Sequence, residues 1–269
     1  TNSLLYALLV CLLMAYIIGA GDLVQKVTAS IGLPTSTIAS QVGFTLFVGI
    51  IVSAGTGVVD KLNRGLFLGM IVALILTLFA LAPSVSFEGL DEVVSDDKMA
   101  LIKTSSVLFT SFGFMVVIPS LVTYNKEASK TQLRNMIIVG STIPLVCYLL
   151  WLLAVVGNLP PHELVQYSNV TELISVLGQQ YEGLEFILSM FTGLALLTSF
   201  LGVAMALYDQ NADLLKASKP VIFVTTFVLP LLGAVFAPEH FLAILSYAGI
   251  ILVFLAVFVP LSMTMKVRR

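Results

Sequence analysis

Charge is scarce in this chain. Only 10% of its 269 residues are Asp, Glu, Lys or Arg, against roughly 25% in a soluble domain. That shortage excludes a water-soluble globular fold. A net charge of −2 on so hydrophobic a chain excludes disorder, and it leaves no basic face for nucleic acid. Cysteine is almost absent. Cys11 and Cys147 both lie in apolar runs, so they read as two membrane-buried thiols rather than as a disulfide or metal pair. Histidine occurs only as His162 and His240, both in polar connections. No zinc-protease, phosphate-loop or serine-hydrolase pattern is present. No enzyme, metal or cofactor is expected.

What the chain has is apolar length. It is 58% hydrophobic, with a mean hydropathy of +1.05. At roughly 20 residues per crossing, about eight membrane helices fit. Apolar runs between polar breaks predict spans at 3–20, 36–57, 65–83, 100–124, 136–157, 185–208, 220–237 and 241–263. The runs are continuously apolar, which excludes the ten-residue alternation of a membrane barrel. The first 20 residues lack a basic flank and a small-residue cleavage site, and read as a span rather than a signal peptide.

Lys and Arg segregate. Ten of the 13 fall in one alternating set of connections (61, 64, 126, 130, 134, 216, 219, 266, 268, 269), and three (26, 98, 103) in the other. Eleven of the 15 carboxylates lie with those three. The positive-inside rule makes the first set cytoplasmic, with both ends of this chain inside. In the outer connection 158–184, residues 169–177 carry apolar side chains at helical spacing after Asn169. They predict a short interfacial helix, either a lid or a passive connector.

Carboxylates stand almost entirely at span ends, which argues against a charge-relay pump. It leaves open a carrier that binds through backbone and hydroxyl groups. The fourth span carries the clearest signal. Thr110, Ser111 and Gly113 sit near its middle and Pro119 follows. Proline lacks an N–H and clashes with the carbonyl four residues back, and glycine tolerates irregular angles. The residues fit either an ordinary proline kink or a broken helix. A break at membrane depth has to line a cavity, as in the discontinuous helices of secondary transporters. Thr192, Thr198 and Ser199 with Gly193, Ala195 and Gly202 fit close helix packing or a cavity wall. Tyr16, and Tyr247 with Gly249, pose the same choice between a core hydrogen bond and a substrate contact.

At these residues the chain resembles the hydroxy and aromatic amino acid permeases, in particular their tyrosine and tryptophan branch. The matching stretches run in order: Ala15-Tyr-Ile-Ile-Gly-Ala-Gly-Asp22, Val59-Asp-Lys-Leu-Asn-Arg-Gly-Leu-Phe67, Phe109-Thr-Ser-Phe-Gly-Phe114, Ile118-Pro-Ser-Leu-Val-Thr-Tyr124, Gly140-Ser-Thr-Ile-Pro-Leu-Val-Cys-Tyr148, Thr198-Ser-Phe-Leu-Gly-Val-Ala204 and Tyr247-Ala-Gly-Ile250. Met115 stands where the family often has His.

The resemblance implies a single all-α transmembrane domain over 1–269. It would be an eight-helix portion of a leucine-transporter (LeuT) type inverted repeat, with the broken helix at about 109–119. The portion would correspond to spans three to ten of an eleven-span family, so that the family's Gly-rich first helix is not in this sequence. The implied function is secondary active import of tyrosine or tryptophan by proton symport across a bacterial inner membrane. A serine or threonine carrier and a non-transporting receptor or scaffold are the alternatives. The partners are the amino acid, a proton and the lipid bilayer, with no nucleic acid. The resemblance points first to Ser111, Phe112, Gly113 and Phe114 as substrate-binding residues, then to Tyr16, Met115, Thr192, Thr198 and Ser199. Asp209 reads either as a gate or proton-linked group or as a structural helix end.

Overall fold

The computed structural model describes residues 2–87, 98–114, 118, 121–122, 125–164, 166–167 and 170–267. Among the described residues the chain is helical, with no strand. The helices are α1 (Asn2–Ser30), α2 (Thr37–Ser53), α3 (Thr56–Leu81), α4 (Lys98–Thr110), α5 (Lys130–Val156), α6 (Pro161–Leu164), α7 (Val170–Gly178), α8 (Leu184–Leu215), α9 (Lys219–Phe236), α10 (Phe241–Val253) and α11 (Val259–Val267).

Among the described residues, six helical stretches are long and apolar enough to cross a membrane: α1, α3 with its extension to Ser84, α5, α8, α9 and the run Phe241–Met265. The other two expected spans fall on shorter helices, α2 with 17 residues and α4 with 13. Helix ends also differ from the expected spans. The first was placed at 3–20 and runs on to Ser30, and the sixth, placed at 185–208, runs on to Leu215. Their backbone hydrogen bonds close within the helix, so polar residues beyond the apolar run do not end it.

Helix α1 is the centre of the molecule. It is apolar all round, the pattern of a buried helix, and packs against α2, α8, α9 and α10. Leu13, Ala15 and Ile17 have no exposed surface. They join Val48, Val52, Phe200, Leu201, Leu207 and Phe227 in the main core. Phe44 meets Phe200 edge-on at 5.0 Å. Within a bilayer such helices associate through close van der Waals packing rather than through removal of apolar surface from water. A second cluster, built from Leu81, Ala154, Val155, Ile174, Leu177, Leu184 and Leu188, binds the ends of α3 and α5 to α7 and α8. Helix α7 is the amphipathic segment expected within 169–177; its expected cap, Asn169, lies outside the described residues.

Polar links fix the helix ends. Gly32, at φ 79, reverses the chain after α1. Thr35 Oγ1 bridges Thr28 Oγ1 and Ser40 Oγ, each at 2.8 Å, and Ser36 caps α2. The Lys26 ammonium contacts Glu185 at 2.6 Å and donates to Ser175 Oγ at 2.7 Å, joining α1 to α8 and α7. Ser129 and Gln132 form a reciprocal cap on α5. Between α10 and α11 the helix widens over Phe254–Phe258, where Val259 N–H reaches back to Phe254 O. Pro260, which has no N–H to offer, follows directly. Cys11 and Cys147 are free and half-buried.

Candidate functional site

Helix α4 ends where the hydroxyl and glycine residues predict a break. Past Thr110 the backbone tightens: Ser111 N–H donates to Leu108 O and Phe112 N–H to Phe109 O, both at 3.1 Å. These are three-residue steps, unlike the four-residue steps of an α-helix. Gly113 and Phe114 continue the turn. Met115 and Pro119 lie outside the described residues, so nothing structural is attached to them. The Tyr148 hydroxyl of α5 donates to the Ser111 carbonyl at 3.0 Å. The Tyr148 ring also meets Phe112 edge-on at 5.9 Å, and Phe112 lies 6.3 Å from Phe114. Among the described residues, a Cβ on Gly113 would meet Leu252, at 3.9 Å.

Helix α10 holds α4 in place. Ser106 and Ser246 share a hydrogen bond at 2.6 Å. Gly249 packs directly on the Ser106 main chain, where a Cβ would fall on the Ser106 carbonyl. Of the two last-span residues singled out in the sequence, Gly249 makes this close approach, whereas Tyr247 is 63% exposed.

Ser111 and Phe112 are both gathered at Tyr148. Tyr16 on α1 lies on the side of Ser199 of α8. The other two α8 candidates are placed differently. Thr198 is buried, and its hydroxyl donates back to Leu194 O at 2.9 Å and Ala195 O at 3.1 Å; it faces Met70 on α3. Thr192 lies on the Ser199 side but two turns toward the outer end. There it lines a small cavity of about 50 Å³ with Gly19, Asp22 and Leu196.

A larger cavity adjoins it. Asp22, Thr171 and Phe241 line both. The larger cleft, about 930 Å³, is framed by the end of α1, the start of α2, α7 and the stretch 235–241. Gln25, Lys26, Gln41, Glu172, Ser175 and Glu239 supply its polar wall. Along α1, Tyr16, Gly19 and Asp22 are spaced one turn apart, so the row from Tyr16 to the cleft covers roughly 9 Å. Gln41 is the unusual member. It has no exposed surface, yet neither its amide oxygen nor its amide nitrogen has a hydrogen-bond partner. An unpaired buried polar group costs about 1–3 kcal/mol.

Sequence reasoning did not single out Tyr148 or Gln41 as site residues. Both stand within apolar runs, where a lone hydroxyl or amide is the only available signal. Among the described residues no group of three or more His, Cys, Asp or Glu is placed to hold a metal ion.

The model of the tryptophan/tyrosine permease family matches residues 1–269. The chain is 55% identical over its whole length to "Glutamine transporter 2" of Aliivibrio fischeri, covering 69% of that protein. It is 37% identical, again over its whole length, to "Tyrosine-specific transport system 1" of Haemophilus influenzae, covering 69% of it. Over 91% of the chain it is 31% identical to the "Tryptophan-specific transport protein" of the same organism, covering 64% of that relative. No solved structure matches. These relatives are transport proteins and not enzymes, and the chain belongs to the tryptophan/tyrosine permease family.

Proposed function

We propose that this protein is a secondary active transporter that imports glutamine, with the turn at Ser111–Phe114 as its central substrate contact. The observation that carries the reading is the end of α4 at Thr110, where the tightened turn is held by Tyr148. An interrupted helix at membrane depth presents main-chain donors and acceptors that bind a polar substrate. The named function of the 55% identical relative supports glutamine.

The resemblance in sequence supports a LeuT-type inverted repeat and coupling to a proton gradient. The segregation of Lys and Arg supports an inner-membrane orientation with both ends of this chain cytoplasmic. The cleft over α1, α2 and α7 then faces outward, and the smaller cavity adjoins it.

An aromatic amino acid is the second reading, favoured by the rings of Phe112, Phe114 and Tyr148 around the turn. Uptake of radiolabelled glutamine, tyrosine and tryptophan by cells producing the protein separates the two. Glutamine uptake that is saturable, collapses with an uncoupler and resists excess tyrosine is expected. Uptake of tyrosine or tryptophan alone moves the substrate to the second reading. Uptake insensitive to the uncoupler removes proton coupling.

A further inference from the structure

We infer that the outer cleft is a second binding site, distinct from the turn at Ser111–Phe114, for an L-amino acid that carries a side-chain carboxamide. The inference rests on the amino acid transport reading and adds to it a site that such a substrate meets first.

Gln41 carries the argument. Several polar side chains around this cleft are paired: Thr37 donates to Gln25 at 3.1 Å, Ser40 bonds Thr35 at 2.8 Å, and Lys26 holds Glu185 and Ser175. Gln41 lies among them, fully buried, with both ends of its amide unpartnered. The position is built for it. Gly21 leaves the room that its side chain occupies, since a Cβ there would come to 2.5 Å of Gln41 Cγ. The Gln41 amide offers one acceptor and one donor group side by side. A second carboxamide answers both at once by donating to Oε1 and accepting from Nε2. A carboxylate only accepts, and it leaves Oε1 unpaired.

The remaining wall fits the backbone end of an amino acid. Asp22 and Glu239 line the cleft, and the Lys26 ammonium there already holds Glu185, so the lining favours the ligand's own ammonium. Lys26 has three N–H groups. Two serve Glu185 and Ser175, and the third is available to the ligand's α-carboxylate. The net negative lining opposes an acidic side chain. Glutamine and asparagine therefore fit, whereas glutamate does not. Asp22 and Phe241 stand between this cleft and the small cavity at Thr192.

The test uses the full transporter in whole cells, with Cys11 and Cys147 replaced by serine and Ala29→Cys as the reporter. Ala29 lines the cleft and is exposed. A membrane-impermeant maleimide should label it from outside. L-glutamine at about ten times its Kd should slow labelling about tenfold, and L-glutamate should leave the rate unchanged. Gln41→Met, similar in size but unable to pair an amide, should abolish the protection. Should that variant fail to reach the membrane, Asp22→Asn carries the comparison and should weaken protection. Absence of labelling from outside, a rate indifferent to glutamine, or protection that survives Gln41→Met overturns the outer site. Glutamine uptake measured in parallel separates the two ideas. Protection without uptake keeps the outer site and removes the transport reading, whereas uptake without protection does the reverse.

Discussion

The Tyr148 hydroxyl donates to the main-chain carbonyl of Ser111 at 3.0 Å, across 37 residues of sequence. The Tyr148 ring also holds Phe112 from the side. One residue of α5 thus fixes both the backbone and an aromatic side chain of the turn.

Tyr148→Phe keeps the ring and removes the donor. A net hydrogen bond of about 1 kcal/mol corresponds to roughly a fivefold change in rate or affinity. Initial rates of glutamine uptake, normalised to protein in the membrane, should fall by about that factor. Tyr148→Ala, which also frees Phe112, should fall further. Equal effects of the two variants would show that the hydroxyl, not the ring, is the whole contribution.

Ser199 and Thr198 are neighbours in sequence with opposite expectations. The Thr198 hydroxyl is satisfied within its own helix, whereas Ser199 reaches Tyr16. Thr198→Val should leave uptake within about twofold of the parent, the change expected from a few tenths of a kcal/mol. Ser199→Ala should lower uptake severalfold while leaving protein level unchanged. Side-by-side uptake assays decide it.

Gly249 marks the tightest helix contact. Any Cβ there collides with the Ser106 carbonyl, and main chain cannot move aside as a side-chain tip can. Gly249→Ala should destabilise the protein by about 1–3 kcal/mol or more, seen as a lower Tm in detergent. Tyr247→Ala, at an exposed neighbour, should change Tm little.

How much of this was readable in advance depends on the range of the interaction. Apolar runs located the helices, because burial in a membrane is written into consecutive residues. The sequence marked Ser111 and Gly113 as an irregular point but left a kink and a break equally open; the helix ends there, at Thr110. The contacts of that turn were not readable. Tyr148 meets Ser111, and Gly249 meets Ser106, only through the way α4, α5 and α10 cross, which periodicity does not encode. Gln41 was hidden for another reason. A single amide inside the apolar run 36–57 barely alters its hydropathy, and its significance lies in having no partner. The ends of α1 and α8 ran past their expected limits because a helix satisfies its own backbone on either side of a membrane boundary.

Lys26 ties three helices together through Glu185 and Ser175. Lys26→Met should loosen α7 from α1 and open the outer cleft. Ser175→Cys, introduced with Lys26→Met, should then react faster with a maleimide than Ser175→Cys alone. Equal rates would show that the apolar cluster around Ile174 and Leu177 holds α7 without help from Lys26.

The central claim is that substrate contacts the turn at Ser111–Phe114. The most direct measurement is substrate protection of Phe114→Cys, a partly exposed position, in the complete transporter with Cys11 and Cys147 replaced by serine. A small thiosulfonate reagent should modify it, and saturating L-glutamine should slow that modification in step with its own uptake affinity. Modification at the same rate with and without glutamine, in protein that still transports glutamine, would contradict the account.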